Sequence, residues 1–390
     1  MHFLQNLATV KSTFRSRIRF DRNELAGSFG DIGTDLPLIV GMILASGADS
    51  ASVLVVFGSL QIATALTYGI PMPVQPLKAV ATLVIAQQLS ASILYGAGLT
   101  IGIAMLLLTA TGLINWLAKI IPHAVIRGIQ FGLGLQLSLL ALSTYVPSDG
   151  TTGYVLAVVA FAIIIALLGN KRYPPALFVL VLGVLYALIF NLDLMTLRSS
   201  FGFSLPSLHS PSTGDMMQGF LLLALAQIPL SLGNSLLATH QLVRDYFPSR
   251  SVTLKKIGWT YSLMNIVASF FGGIPVCHGS GGIAGHYLFG ARTGGSVLIY
   301  GIMYLVMGLL FSTGFSEIIK VFPLPILGVI LLFEGTALMK LVHDTLDSPS
   351  HFLVAILVGV ICVGVPYGYI VGMVLGTAIV YYLKRYQDAL

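Results

Sequence analysis

Residues 69–88 are GIPMPVQPLKAVATLVIAQQ, a proline-broken stretch inside an apolar chain. Pro71, Pro73 and Pro76 rule out a helix over its first half, because each proline removes a backbone donor and clashes with the turn before it. Residues 77–88 then make a sound short helix. A second stretch, IPVCHGSGGIAGHYLFGARTGG at residues 274–295, breaks in the same manner. Its Pro-Val pair is followed by glycines, which make up seven of the 22 residues. Glycine costs about 1 kcal/mol per residue in a helix relative to alanine, so irregular backbone of this kind needs a reason.

The surroundings sharpen the question. The chain of 390 residues is 56% hydrophobic and 9% charged, whereas soluble domains carry about 25% charged residues. Apolar stretches recur along its length, for example at 97–116, 154–168, 176–190 and 296–311. A bilayer crossing takes about 20 mostly apolar residues. The chain therefore reads as an all-α polytopic membrane protein. The longest polar stretches, 1–23, 193–215 and 244–256, are too short to bury a core of their own. The basic N-terminal tail has no cleavage pattern of a signal peptide. Cys277 and Cys362 make neither a disulfide framework nor a metal-ligand spacing, and no cofactor or metal is expected.

Fourteen membrane segments are predicted, at 26–46, 51–69, 71–90, 94–117, 121–143, 153–169, 174–192, 217–240, 258–272, 274–290, 295–313, 316–339, 351–364 and 366–384. The bias of positive charge toward the cytoplasm tests this count. With the N-terminus inside, 17 of the 20 Lys and Arg fall on the cytoplasmic side. They are Lys11, Arg15, Arg17, Arg19, Arg22, Lys119, Arg127, Lys171, Arg172, Arg244, Arg250, Lys255, Lys256, Arg292, Lys340, Lys384 and Arg385. Arg198 falls in an outer loop, and Lys78 and Lys320 lie within segments. The net charge of +6 thus belongs to cytoplasmic flanks and implies no nucleic acid or acidic partner. Both termini are placed in the cytoplasm.

Three pairs of motifs reveal an internal repeat. TDLPLIVG (34–41) matches AQIPLSLG (226–233), with Asp35 on Gln227; MPVQP (72–76) matches IPVCH (274–278); IPHAVIRGIQFGLG (121–134) matches FPLPILGVILLFEG (322–335). The offsets are 192, 202 and 201 residues. Seven segments per half is an odd number, so the halves must lie in opposite orientations. This inverted 7+7 construction is that of many secondary transporters, with the substrate near the midplane between repeats. The organisation expected is a cytoplasmic tail (1–25), a first repeat (26–192), a connecting loop (193–216) and a second repeat (217–384).

The two broken segments, third and tenth, are equivalent under this repeat. Each is an extended stretch followed by a half-helix. Non-helical backbone at membrane depth is tolerated where it lines a cavity or is buried in protein. Two half-helix starts then face each other near the midplane with free N–H groups and positive dipole ends, which is an anion site. Gly279, Gly281 and Gly282 let a ligand approach bare backbone, with Ser280 as a hydroxyl donor; the alternative is that they serve close helix packing. For Gly285 and Gly290 packing is the preferred reading. The oxyanion is expected on backbone donors around 279–281 and 75–78, which brings in Gln75, Pro76, Leu77, Lys78, Cys277, His278, Gly279, Ser280 and Gly281. Gln227, Ser231 and Asn234 lie on lines that should face the same cavity.

Charges inside the membrane default to functional hypotheses. Asp31 and Asp35 stand four apart and share a helix face. Asp31 is also compatible with a solvated helix start. Lys78 stands in the first turn of a half-helix, where the dipole disfavours a cation. An anionic substrate, or a tie to Asp31 or Asp35, would offset that. Glu334 reads as one half of a structural pair, His286 as a satisfied buried histidine, and Arg292 as an anchor at a membrane face. His278 could donate to an anion or carry a proton.

The stretches ELAGSFGDIGTDLPL, PMPVQPLKAVA and PVCHGSGGIAGHYLFGARTG resemble the signatures of the molybdate transporter family, a branch of the sulfate permease superfamily. The resemblance covers nearly the whole chain. It implies a uracil-permease-like fold of fourteen segments, with a core domain carrying the site and a gate domain. Larger sulfate permeases carry a cytoplasmic STAS domain after the last span, and none is expected here. In those permeases the eighth span often holds a glutamate linked to proton coupling. This chain has Gln227 there, which turns attention to Asp31 and Asp35 for coupling.

The resulting expectation is a secondary transporter of the cell (inner) membrane. It would import a tetrahedral oxyanion, molybdate first and sulfate next, by alternating access of core against gate, with a proton as co-substrate. A homodimer is compatible with it. A nucleobase or bicarbonate permease on the same fold is the alternative, although a planar base wants carboxylate or amide partners in the eighth and tenth spans. An intramembrane enzyme using His278, Cys277 and Asp35 has no nucleophile motif or second histidine at ligand spacing behind it.

Overall fold

The computed structural model describes residues 17–114, 116, 120–168, 175–191 and 201–387. Lys11, Arg15, Lys119, Lys171, Arg172 and Arg198 lie outside the described residues. The chain runs through α1 (Arg22–Gly27), α2 (Ile32–Ser46), α3 (Ser50–Tyr68), β1 (Val74–Pro76), α4 (Lys78–Gln87), α5 (Ala91–Thr111), α6 (His123–Leu140), α7 (Gly150–Ala166) and α8 (Pro175–Tyr186). It continues through α9 (Thr213–Tyr246), α10 (Leu254–Phe270), β2 (Val276–His278), α11 (Ser280–Leu288), α12 (Gly295–Leu310) and α13 (Ser312–Val321). The last described helices are α14 (Leu324–Lys340), α15 (Pro349–Gly364) and α16 (Gly368–Gln387).

The two broken stretches meet as expected. β1 and β2 pair antiparallel, with Val74 opposite His278, Gln75 opposite Cys277 and Pro76 opposite Val276. A shift of 202 residues carries β1 onto β2, and the pairing then maps onto itself. A local twofold axis therefore passes through the Gln75–Cys277 pair. α4 and α11 leave it at Lys78 and Ser280, again 202 apart. In hydrocarbon an unpaired strand edge costs several kcal/mol per polar group. Two amide side chains cover the outer edges. Gln61 donates to the Val74 carbonyl at 2.6 Å and accepts from its N–H at 2.8 Å. Asn265 does the same for Val276 at 2.7 and 2.9 Å.

Helix packing follows the repeat. α3 packs on α12 as α10 packs on α5, and α6 packs on α15 as α14 packs on α7. Glycines set the close approaches: a Cβ on Gly58 would lie 2.6 Å from the Gly301 carbonyl oxygen. Gly285 has the packing role expected of it, since its Cβ would meet the Gly30 carbonyl oxygen at 2.6 Å. Gly290 sits at φ +108°, a conformation that side chains disfavour.

Three expected segments differ in detail. The segment at 316–339 is two helices, α13 and α14, because Pro323 and Pro325 cannot continue a helix and favour starting one. The segment at 26–46 begins with the separate turn of α1, and α2 starts after Asp31. The eighth segment extends from Thr213 to Tyr246 and contains π-helical stretches at Phe220–Ala224 and Ser231–Ala238. These flank Pro229, which lacks the N–H that a regular ladder would use. Among the described residues five helices are individually long and apolar enough to cross a bilayer, or six if one bent pair counts as a span. Five of the other expected crossings fall on shorter apolar helices, Ile32–Ser46, Lys78–Gln87, Gly150–Ala166, Phe178–Phe190 and Pro349–Gly364.

Candidate functional site

A cavity of about 380 Å³ opens where α4 and α11 begin. One wall holds Gln75, Pro76, Lys78, Gln227, Asn234, Ser235, Cys277, Gly279, Ser280 and Gly281. The lining also includes Arg127, Gln130 and Leu133 of α6, with Leu338 and Leu341. Most of the residues expected to bind substrate are thus brought together.

Leu77, Ser231 and His278 are not on the wall. Leu77 is fully buried in the apolar core. Ser231 accepts from Gln227 Nε2 at 3.0 Å and shares a 2.6 Å hydrogen bond with the Tyr261 hydroxyl. His278 follows Cys277 in β2, and side chains alternate along a strand, so with Cys277 on the cavity His278 points away. Its Nε2 shares a 2.8 Å bond with Thr260 Oγ1, and its ring packs edge-on against Tyr68.

The two half-helix starts are treated differently. On α4 the N–H groups of Ala79 and Val80 donate to Gln227 Oε1 at 3.0 and 3.3 Å, and the Leu77 N–H donates to the Pro275 carbonyl at 3.0 Å. Of the backbone donors expected around 75–78, the Leu77 N–H is therefore already engaged by the protein itself, as are the two N–H groups that follow Lys78. On α11 the first turn is Ser280-Gly281-Gly282, whose N–H groups have no partner within the helix. A Cβ on Gly281 would meet nothing within 4 Å, so this residue opens onto the cavity. A Cβ on Gly279 would collide with Gln75 Oε1, and one on Gly282 would lie 2.6 Å from Asp31 Oδ2.

Asp31 and Asp35 are buried behind the wall rather than on it. Asp31 accepts from Gln75 Nε2 at 2.6 Å, so it touches a cavity residue directly. Asp35 accepts from the Tyr300 hydroxyl at 3.1 Å, and Tyr300 is bonded in turn to Tyr304. Its Oδ1 has no partner among the described residues. Lys78 extends into the cavity, with Nζ 3.8 Å from Glu334 Oε2. The ion pair expected for Glu334 is present, and it supplies the offset that Lys78 needs. Thr34 Oγ1 donates to the other Glu334 oxygen at 3.1 Å.

Sequence reasoning missed three elements. The charge bias groups Arg127 with the cytoplasmic flanks, yet it lines the cavity with Gln130; its place a full turn inside its segment is the signal for that. Ser235 was not singled out. Glu24 is 2% exposed, and its carboxylate accepts the N–H groups of Arg292, Thr293 and Ser296 at 2.8–2.9 Å, closing the start of α12. Arg292 itself lies over the Tyr287 ring, 3.6 Å from its centroid.

Comparison with known proteins adds an independent line. The family model described as "Molybdate transporter of MFS superfamily" matches residues 23–137 and 219–338, one stretch in each half. "Molybdate transporter 2" of Arabidopsis thaliana is 33% identical over 399 residues, covering 90% of this chain and 86% of that protein. Among solved structures, the transmembrane domain of the cyanobacterial bicarbonate transporter BicA has a TM-score of 0.66 at 18% identity, over 93% of this chain and 98% of that one. The structure of SLC26A9 has a TM-score of 0.70 at 12% identity, over 98% of this chain and 70% of that one. At such identities the two structures speak to fold alone.

Proposed function

Since the chain belongs to the molybdate transporter family, we propose that it is a secondary transporter that imports molybdate, with sulfate as the next substrate. The observation that carries this reading is the bare first turn of α11, open to the cavity at Gly281 and faced by Lys78. A dianion leaving water pays a large penalty unless many donors replace its hydration. The N–H groups of Ser280, Gly281 and Gly282, the Ser280 hydroxyl and the helix dipole supply donors that need no reorganisation. Lys78 adds charge, but Glu334 shares it, so the site stays short of full positive charge and the anion can leave.

In this reading a core built on α4, α11 and the strand pair moves against a gate that includes α6 and α14. Asp31 and Asp35 carry the coupling proton; protonation of Asp31 is felt at Gln75 through their hydrogen bond. The protein sits in the cell (inner) membrane with both termini in the cytoplasm, an arrangement compatible with a homodimer. The test is molybdate binding by the purified protein with sulfate, selenate and uracil as competitors. Displacement by the oxyanions and not by uracil is expected; displacement by uracil alone would sink the reading. For coupling, Asp31→Asn or Asp35→Asn should abolish pH-driven uptake while leaving molybdate exchange, and unchanged pH dependence in both would move that role elsewhere.

A further inference from the structure

We propose that Arg127 and Gln130 form the far half of the anion site, and that Asp344 holds the Arg127 guanidinium in reserve as an internal competitor of the substrate. This rests on reading the cavity as an oxyanion site. Arg127 and Gln130 stand three apart on α6, so they share a face, and both line the cavity together with Lys78, Ser280 and Gly281. Gln130 is 1% exposed. Its Oε1 accepts from Arg127 Nη1 at 2.9 Å, while its Nε2 has no partner among the described residues. A buried donor without an acceptor is costly, and an oxyanion arriving in the cavity supplies the missing acceptor.

Arg127 is itself held. Its Nε donates to both Asp344 oxygens at 2.9 and 3.0 Å, and Nη2 donates to Oδ2. With the bond to Gln130, three of the five guanidinium N–H groups are used, which leaves two. A guanidinium fork fits a carboxylate and a tetrahedral oxyanion equally well. The Asp344 side chain is 45% exposed, so water can replace Arg127 when the pair opens. Arg127 also lines an adjoining pocket of about 480 Å³ with His123, Gly233 and Asn234. The two spaces share Arg127, Asn234 and Ala238, so the guanidinium stands at their junction. An anion passing between them exchanges with the Asp344 carboxylate on Arg127, and the carboxylate displaces it again on release.

Purified full-length protein is titrated with sodium molybdate by calorimetry, and exchange of labelled molybdate is followed in proteoliposomes. Arg127→Gln is expected to raise Kd roughly tenfold or more, the loss of a charge-assisted contact. Asp344→Asn is expected to lower Kd roughly two- to fivefold and to slow exchange, since the competitor is gone. In the Arg127→Gln background, Asp344→Asn should leave Kd unchanged. Arg127→Lys keeps the charge but not the fork and should recover only part of the affinity. A thermal unfolding midpoint checks each variant; should Arg127→Gln fail to fold, Gln130→Ala and Asp344→Asn carry the test. A folded Arg127→Gln with wild-type Kd, or an Asp344→Asn variant that binds more weakly, overturns the proposal. Gly281→Val separates the two readings. If it abolishes binding while Arg127→Gln is silent, the cavity reading stands and this inference falls. If Gly281→Val is silent, the cavity reading falls and this inference with it.

Discussion

α4 and α11 begin at equivalent positions and are built to opposite ends. At the offset of 202, Leu77 faces Gly279, Lys78 faces Ser280, Ala79 faces Gly281 and Val80 faces Gly282. The first member of each pair carries the larger side chain. The start of α4 is also closed by a borrowed amide, with Gln227 taking the N–H groups of Ala79 and Val80. The start of α11 is stripped to glycine and serine and left open at Gly281. The repeat supplies the geometry of two helix starts at one depth. The side chains then make one of them a sealed joint and leave the other open to the cavity. The seal has a second benefit: with its dipole end answered by Gln227 and its cation by Glu334, α4 can present Lys78 to the cavity.

Substitutions test this contrast, beginning with Gly279. Gly279→Val drives a side chain into Gln75, so molybdate binding should vanish and the thermal unfolding midpoint should fall together. Gly281→Val is the cleaner case, because its side chain enters open space. Calorimetry should show affinity lost by roughly a hundredfold, equivalent to two charge-assisted hydrogen bonds, at an unchanged unfolding midpoint. Native affinity in this variant would mean that the glycines serve packing alone. Gln227→Ala unseals α4 and leaves two buried N–H groups bare. It should cost about 1–3 kcal/mol of stability in denaturant unfolding and leave molybdate affinity near wild type. A loss of affinity as deep as that of Gly281→Val would show that both starts bind and would erase the contrast. Ser280→Ala is expected to weaken binding by about 1–2 kcal/mol, the scale of one hydrogen bond to a charged partner, with no change in stability.

Much of this was legible because proline is an unambiguous signal. Pro71, Pro73 and Pro76 announced the break before α4, and the Pro-Val pairs at a fixed offset announced its twin. The same logic at Pro323 was available and would have separated α13 from α14. What was not legible depends on direction rather than identity. Nothing in a Cys-His dipeptide tells which of the two faces a cavity, and the strand register that settles it for Cys277 is a pairing between residues 202 apart. The seal on α4 comes from Gln227 and the partner of Lys78 is Glu334, both from the other half of the chain. Such pairings arise from helix packing, which residue patterns do not encode. Arg127 was hidden by its charge: a basic residue near a segment end satisfies the orientation rule whether it faces the cytoplasm or a cavity.

The strand pair, with Gln61 and Asn265 clamped on its two edges, acts as a splint. It ties α4 to α11 through main-chain bonds that would have to break before the two starts could separate, and no water stands ready at that depth to replace them. Whatever rocks during a transport cycle must therefore carry both half-helices as one piece. An anion held as proposed would then meet the same cradle on this side at both ends of the stroke. Under the proposed alternating access, any difference between its affinity facing in and its affinity facing out would have to be written on the part of the cavity lined by α6.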